Sequence, residues 1–166
     1  MTGGREDGTY TSVILSSRHP VILSSMNDLD SLIAAMYARI SFEAGERPDW
    51  SAQDDLFAPG ARLVRVTDDG VFAFDLESYR RDFERMMDSG EMPSFWEGEI
   101  WREERVFGEV AHVLSAYETR RSRGGALLNR GVNSIQLFRR EGRWWISAMI
   151  WRREGREVAI PDGMTG

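Results

Sequence analysis

Residues 96–153 read WEGEIWREERVFGEVAHVLSAYETRRSRGGALLNRGVNSIQLFRREGRWWISAMIWRR, and the alternation of bulky side chains with glycine turns in this stretch decides the architecture. Trp96–Phe107, Val110–Arg120, Asn129–Arg139 and Trp144–Arg152 are strand-length runs rich in β-branched and aromatic residues. Gly108, Gly124-Gly125 and Gly142 break them. Four successive strands with short connections predict an antiparallel meander.

The residues before this stretch are helical in pattern. Leu29, Leu32, Ile33, Met36, Tyr37 and Ile40 form one apolar stripe, with Asn27 or Asp28 placed to cap its start and Gly45 to end it. After Pro48, Ser51 and Asp54 have capping-box spacing for a short helix through Phe57, which Pro59-Gly60 stops. Arg62–Val66 reads as a strand and Asp69-Gly70 as a turn. A third helix follows Asp75, with Leu76, Tyr79, Phe83, Met86 and Met87 on one face and its end near Gly90. Helices packed on one face of a curved antiparallel sheet give an α+β fold.

Three segments follow. Residues 1–25 are an N-terminal extension or leader, 26–153 the domain, and 154–166 a C-terminal tail. Val13-Ile14-Leu15-Ser16-Ser17 recurs as Val21-Ile22-Leu23-Ser24-Ser25 around Arg18-His19-Pro20. The copies could pair as a hairpin or add a strand; alternatively Met26 is the natural start.

Composition narrows the function classes. The chain has 166 residues, 42% of them hydrophobic and 29% charged, enough for one domain with its own core. It has no cysteine, which removes disulfides and thiolate chemistry. Its 2 histidines, His19 and His112, make a poor ligand set, so no metal or other cofactor is expected. A net charge of −6 argues against nucleic acid. No apolar run is long enough to span a bilayer, the start lacks the pattern of a secretory signal, and a cytoplasmic location is the expectation.

Asp54-Asp55-Leu56-Phe57-Ala58-Pro59-Gly60-Ala61-Arg62-Leu63, Arg130-Gly131-Val132-Asn133-Ser134-Ile135-Gln136-Leu137-Phe138 and Glu141-Gly142-Arg143-Trp144-Trp145-Ile146 together resemble the nuclear-transport-factor-2-like superfamily. The likeness covers roughly residues 26–153. It implies the cone-shaped, cystatin-like α+β fold of ketosteroid isomerase and the SnoaL-like proteins, with three N-terminal helices on the concave face of the sheet. It is closer to SnoaL-like members of unknown activity than to any enzyme of known activity. The fold hosts several chemistries, so it does not fix the reaction.

A three-residue loop Arg140-Glu141-Gly142 would pair Arg139 with Arg143. Gly131, Asn133, Ile135 and Leu137 would then share a face with Trp145, Ser147, Met149 and Trp151. Phe138, Trp144, Ile146 and Ile150 would form an apolar patch on the other face, where the superfamily resemblance implies a homodimer. The same resemblance turns the odd face towards a ligand pocket. Tyr37 and Asn133 fall where the isomerase carries its two hydrogen-bond donors, and Arg65 falls where it carries its proton-shuttling carboxylate. Arginine cannot take up that proton. It could clamp an anion or pair with Glu99 or Glu103.

The candidate ligand-binding residues are therefore Tyr37, Arg65, Asn133, Trp145, Ser147, Met149 and Trp151, with His112, Trp50 and Trp96 as further possibilities. His112 with Asn133 resembles part of a scytalone-dehydratase site, but Ala38 stands where that enzyme has an aspartate. From Trp96 to Arg153 there is no aspartate for an epoxide-hydrolase relay. The expected function is binding of a small apolar carbonyl or aromatic compound, with or without catalysis. The alternatives are a non-catalytic homodimerisation module with a filled cavity, and a dehydratase-like lyase.

Overall fold

The computed structural model describes residues 28–165. The Val-Ile-Leu repeats, Asn27 and the question of Met26 lie outside these residues.

Helix α1 spans Leu29–Ile40, and the Asp28 side chain caps it by accepting from Ser31 N. It ends at Ser41, four residues before the expected Gly45. Ser41 Oγ donates to Tyr37 O at 2.9 Å and accepts from Glu97 N at 3.1 Å, so the helix terminus is tied directly to the sheet. Helix α2, Trp50–Asp54, is capped by Asp49 rather than Ser51. Its chain turns extended at Phe57, because Leu56 O already accepts from Ile146 N in the sheet.

Six strands make one open sheet in the order β2-β1-β6-β5-β4-β3: β1 Phe57–Thr67, β2 Gly70–Phe74, β3 Trp96–Phe107, β4 Val110–Arg120, β5 Leu127–Arg140 and β6 Arg143–Arg153. The four-strand meander is present. The sheet is nevertheless mixed, because β1 runs parallel to β6. Pro59-Gly60 sits within β1 as an irregularity between Phe57 and Arg62, with Gly60 at φ 79. Strand β2 had no counterpart in the sequence reading; it folds back on β1 through Asp68-Asp69. Helix α3, Leu76–Asp88, begins with a capping box between Asp75 and Ser78.

The helices lie on one face of the sheet, α1 towards β3 and α3 towards β1 and β2. Between them Leu32, Ile33, Leu56, Leu63, Val113, Ile135, Leu137 and Ile146 are fully buried. After β6 the chain stays packed on the domain: Ile160 is buried and its N–H reaches Glu154. No helix among the described residues is long and apolar enough to cross a membrane.

The last hairpin departs from expectation. Arg140 pairs with Arg143, so the loop is the two residues Glu141-Gly142, both at positive φ (53 and 79). Leu137 then faces Ile146, and Phe138 faces Trp145. A register shift at Gln136/Leu137 restores the expected relation further on, where Ile135 meets Met149 and Asn133 meets Trp151. Trp144 and Ile146 accordingly belong to the core of the monomer and not to an outer patch. Glu141 is the only described non-glycine residue at positive φ, which asparagine tolerates better. Glu141→Asn should stabilise the protein by roughly 0.5 kcal/mol in urea denaturation.

Candidate functional site

The middle of the sheet carries one transverse row. Ser115, Asn133, Trp151, Arg65 and Phe72 are successive cross-strand partners over β4, β5, β6, β1 and β2. Above it, between the sheet, α1 and α3, lies a cavity of about 550 Å³. Met36 and Ile40 of α1, Tyr79, Phe83 and Met86 of α3, and Leu63, Met149 and Trp151 of the sheet supply its apolar wall. Trp151 stacks on Phe74 at 6.5 Å and meets Tyr79 edge-on at 5.9 Å.

Of the expected residues, Arg65, Asn133, Met149 and Trp151 line this cavity. Tyr37 does not, but sits directly behind Asn133. Its Oη accepts from Asn133 Nδ2 at 3.0 Å and lies 2.6 Å from Ser115 Oγ. The expectation of two donors converging on one ligand oxygen is therefore replaced by a bond between the two residues themselves. Trp145 is turned away with Phe138, under the guanidinium of Arg143 at 3.9 Å. Ser147 falls in the register shift and donates to Gln136 O.

His112 is on the opposite face from Asn133, bonded to Ser134 Oγ at 3.0 Å, because inward positions on β4 are the odd ones. The two cannot act together, and the dehydratase-like reading loses its residue pair. Trp50 packs edge-on to Phe83 and donates Nε1–H to Glu84; Trp96 folds over Gly98. Neither lines the cavity.

Arg65 is held by an acid on neither of the expected residues. Its Nη1 donates to Asp82 Oδ2 of α3 at 2.9 Å, and its guanidinium lies 5.2 Å from the rings of both Phe72 and Phe74. The pair is part-buried and internally neutralised, which weakens Arg65 as an anion clamp.

The sequence reading missed Glu97. It leads into β3 beside the Phe42–Phe95 bridge, and Ser41 fixes its backbone. Its side chain lines the cavity and takes no hydrogen bond from any described residue. The residue as a whole is half-buried. Burial pushes its carboxyl from 4.5 up to about 8, so it is mostly protonated at neutral pH. Tyr79 and Tyr117 also line the cavity, their phenols raised first by burial and then by the charge of Glu97. A side chain at Gly131 would collide with Tyr117 Oη at 2.4 Å, so that glycine leaves room for the phenol to lie across β5. The signal for Glu97 was its shared parity with Glu99 on β3. The signal for Ser115 was a polar residue among the inward set Ala111, Val113, Tyr117 and Thr119.

Protonation of Glu97 has a sign that can be measured. Its folded-state pKa is raised, so stability is full below about pH 4.5 and falls as pH rises through about 8. Tyr79, Tyr117 and the Arg65–Asp82 pair surround the same space, and burial holds the two phenols neutral over this range. Glu97→Gln removes the ionisation and keeps the shape. Its melting temperature should gain on wild type progressively between about pH 5 and about pH 8. An offset independent of pH would show that Glu97 ionises freely.

No protein-family model matches the chain, and no curated protein matches it in sequence. Solved structures do. A protein of unknown function with a cystatin-like fold from Nostoc punctiforme superposes with a TM-score of 0.59 at 13% identity, over 76% of this chain and 88% of its own. An NTF-2 like protein of unknown function from Silicibacter pomeroyi gives 0.53 at 16% identity, over 76% and 92%. A provisionally named dehydratase of the NTF2-like family from Streptomyces avermitilis gives 0.56 at 14% identity, over 80% and 98%. The six-stranded open sheet, its helices and these superpositions establish that the chain has the cystatin-like, NTF2-like α+β fold.

Proposed function

We propose that the domain binds a small, largely apolar or aromatic organic molecule in the cavity between α1, α3 and the inner face of the sheet. The observation that carries this reading is the space itself. About 550 Å³ is left between an aromatic and aliphatic wall and a polar one, to which Asn133, Glu97, Tyr79 and Tyr117 contribute beside charged side chains such as Arg65, Asp82 and Arg153. A dimerisation module with a filled cavity would have closed that space with its own tryptophans. Instead Trp144 is in the core and Trp145 is turned away. The presence of a carboxyl, a group able to exchange a proton with a bound molecule, leaves catalysis open to the same site.

Neutral bicyclic and tricyclic aromatics should saturate one site per chain, with dissociation constants in the micromolar range, roughly −8 kcal/mol. Binding should quench tryptophan emission in wild type and much less in Trp151→Phe, while calorimetry shows the variant still binding. Absence of saturable binding across such a panel would return the domain to the dimerisation class.

We further propose a homodimer through the outer face, now restricted to Phe138, Trp145 and Ile150. Ile150 is 48% exposed, and Phe138 and Trp145 are cross-strand neighbours on that side. Ile150→Arg should convert a dimer to a monomer in light scattering. Wild-type protein that is monomeric at micromolar concentration would exclude the interface.

A further inference from the structure

Behind the cavity runs a buried chain of hydrogen bonds whose direction can be worked out from proton counts. It ends on Glu99, which receives Arg102 Nε at 3.0 Å and Nη2 at 2.7 Å and is therefore an ion-paired carboxylate that only accepts. Ser115 Oγ touches Glu99 Oε1 at short range, so the single serine proton must lie between them. Two bare acceptors at that separation would repel. Ser115 can then only accept from Tyr37, whose Oη is 2.6 Å away. Burial keeps Tyr37 a neutral phenol with one proton, and that proton goes to Ser115. Tyr37 Oη is left as an acceptor towards Asn133. The amide must offer it Nδ2, as the 3.0 Å contact has it.

The consequence falls on the cavity. Asn133 is 2% exposed and lines the cavity, and its Oδ1 takes no hydrogen bond from any described residue. We propose that Asn133 presents this carbonyl oxygen to the ligand, and that the site selects molecules offering it a hydrogen, an alcohol or phenol O–H, over molecules offering a carbonyl. Tyr37, Ser115 and Glu99 do not line the cavity; they are positioning residues that hold the amide in this sense. The inference rests on the ligand-binding reading above and deepens it, because it reverses the polarity expected for two donors gripping a ketone. The neutralised Arg65–Asp82 pair agrees with an uncharged ligand.

The test compares two probes with one aromatic body, 2-naphthol and 2-acetylnaphthalene, titrated into the full chain. Wild type should bind the naphthol roughly three- to tenfold more tightly, the size of one neutral hydrogen bond. Ser115→Ala removes the acceptor of the tyrosine proton. Tyr37 should then donate to Asn133, the amide should turn over, and the preference should reverse in favour of the ketone. Tyr37→Phe frees the amide altogether and should leave the two probes about equal. A role of these residues in folding alone would weaken both probes together and leave their ratio unmoved.

A wild-type preference for the ketone overturns the proposal. So does a naphthol preference that survives both variants unchanged, in protein whose circular dichroism shows it folded. If wild type binds neither probe, the ligand-binding reading fails and takes this proposal with it; if it binds both with the wrong ratio, only the polarity is wrong.

Discussion

The hydroxyl of Tyr37 lies 2.6 Å from Ser115 and 3.0 Å from Asn133, and through these contacts the first helix is fastened to the middle of the sheet. Each partner is buried: Tyr37 at 5%, Asn133 at 2% and Ser115 at 0% exposure. A buried polar group without a partner costs about 1–3 kcal/mol, so the three residues satisfy one another or none is tolerable. This fixes the rotation of α1 about its axis and its position along β4 and β5 at once. The apolar stripe alone would have allowed sliding, since Leu32, Ile33 and Met36 pack with little directional preference. Ser41 completes the constraint by joining the helix end to the backbone of Glu97. The cavity exists where α1 is held in place and α3 closes from the other side.

The same constraint explains what could be read from the sequence. Strands β3 and β4 were legible to the residue, because glycine turns bounded them and aromatic and β-branched residues filled them. Asn133, Met149 and Trp151 were placed on the correct face, but partly through compensation. The two-residue turn moved the register by one relative to the three-residue loop expected, and the shift at Gln136/Leu137 moved it again in the same sense, which restored the odd-to-odd pairing. Between turn and bulge the parity is reversed, which is why Trp144, Trp145, Ile146 and Ser147 were assigned to the wrong sides. A bulge leaves no mark in the hydrophobic alternation when both faces of the strand are apolar.

Other features were beyond local pattern. The partner of Arg65 comes from α3, a helix seventeen residues on whose rotation over the sheet only packing decides. Strand β2 is mostly exposed, and its hold on the sheet comes from pairing with β1 rather than from an alternating apolar face. Glu97 looked like one more acid in a charged strand. Nothing in the sequence said that this end of β3 would open on a cavity instead of water.

Glu97 also bears on why the cavity should be kept at all. A carboxyl enclosed by protein and given no partner opposes folding, more so as pH rises and the unfolded chain ionises it freely. A domain serving only to hold two subunits together would be more stable with leucine or methionine there and the cavity closed over it. The opposite is present: Glu97, Tyr79, Tyr117 and Asn133 all line one space, and the carboxyl, the two phenols and the amide oxygen take no hydrogen bond from the described residues. Polar groups left unpaired beside the aromatic and aliphatic wall of a common volume suit a molecule with an apolar body and a few polar atoms. In the proposed reading Asn133 would give this arrangement direction and Glu97 an exchangeable proton. The stability forgone at these positions is what the proposed ligand-binding role would account for.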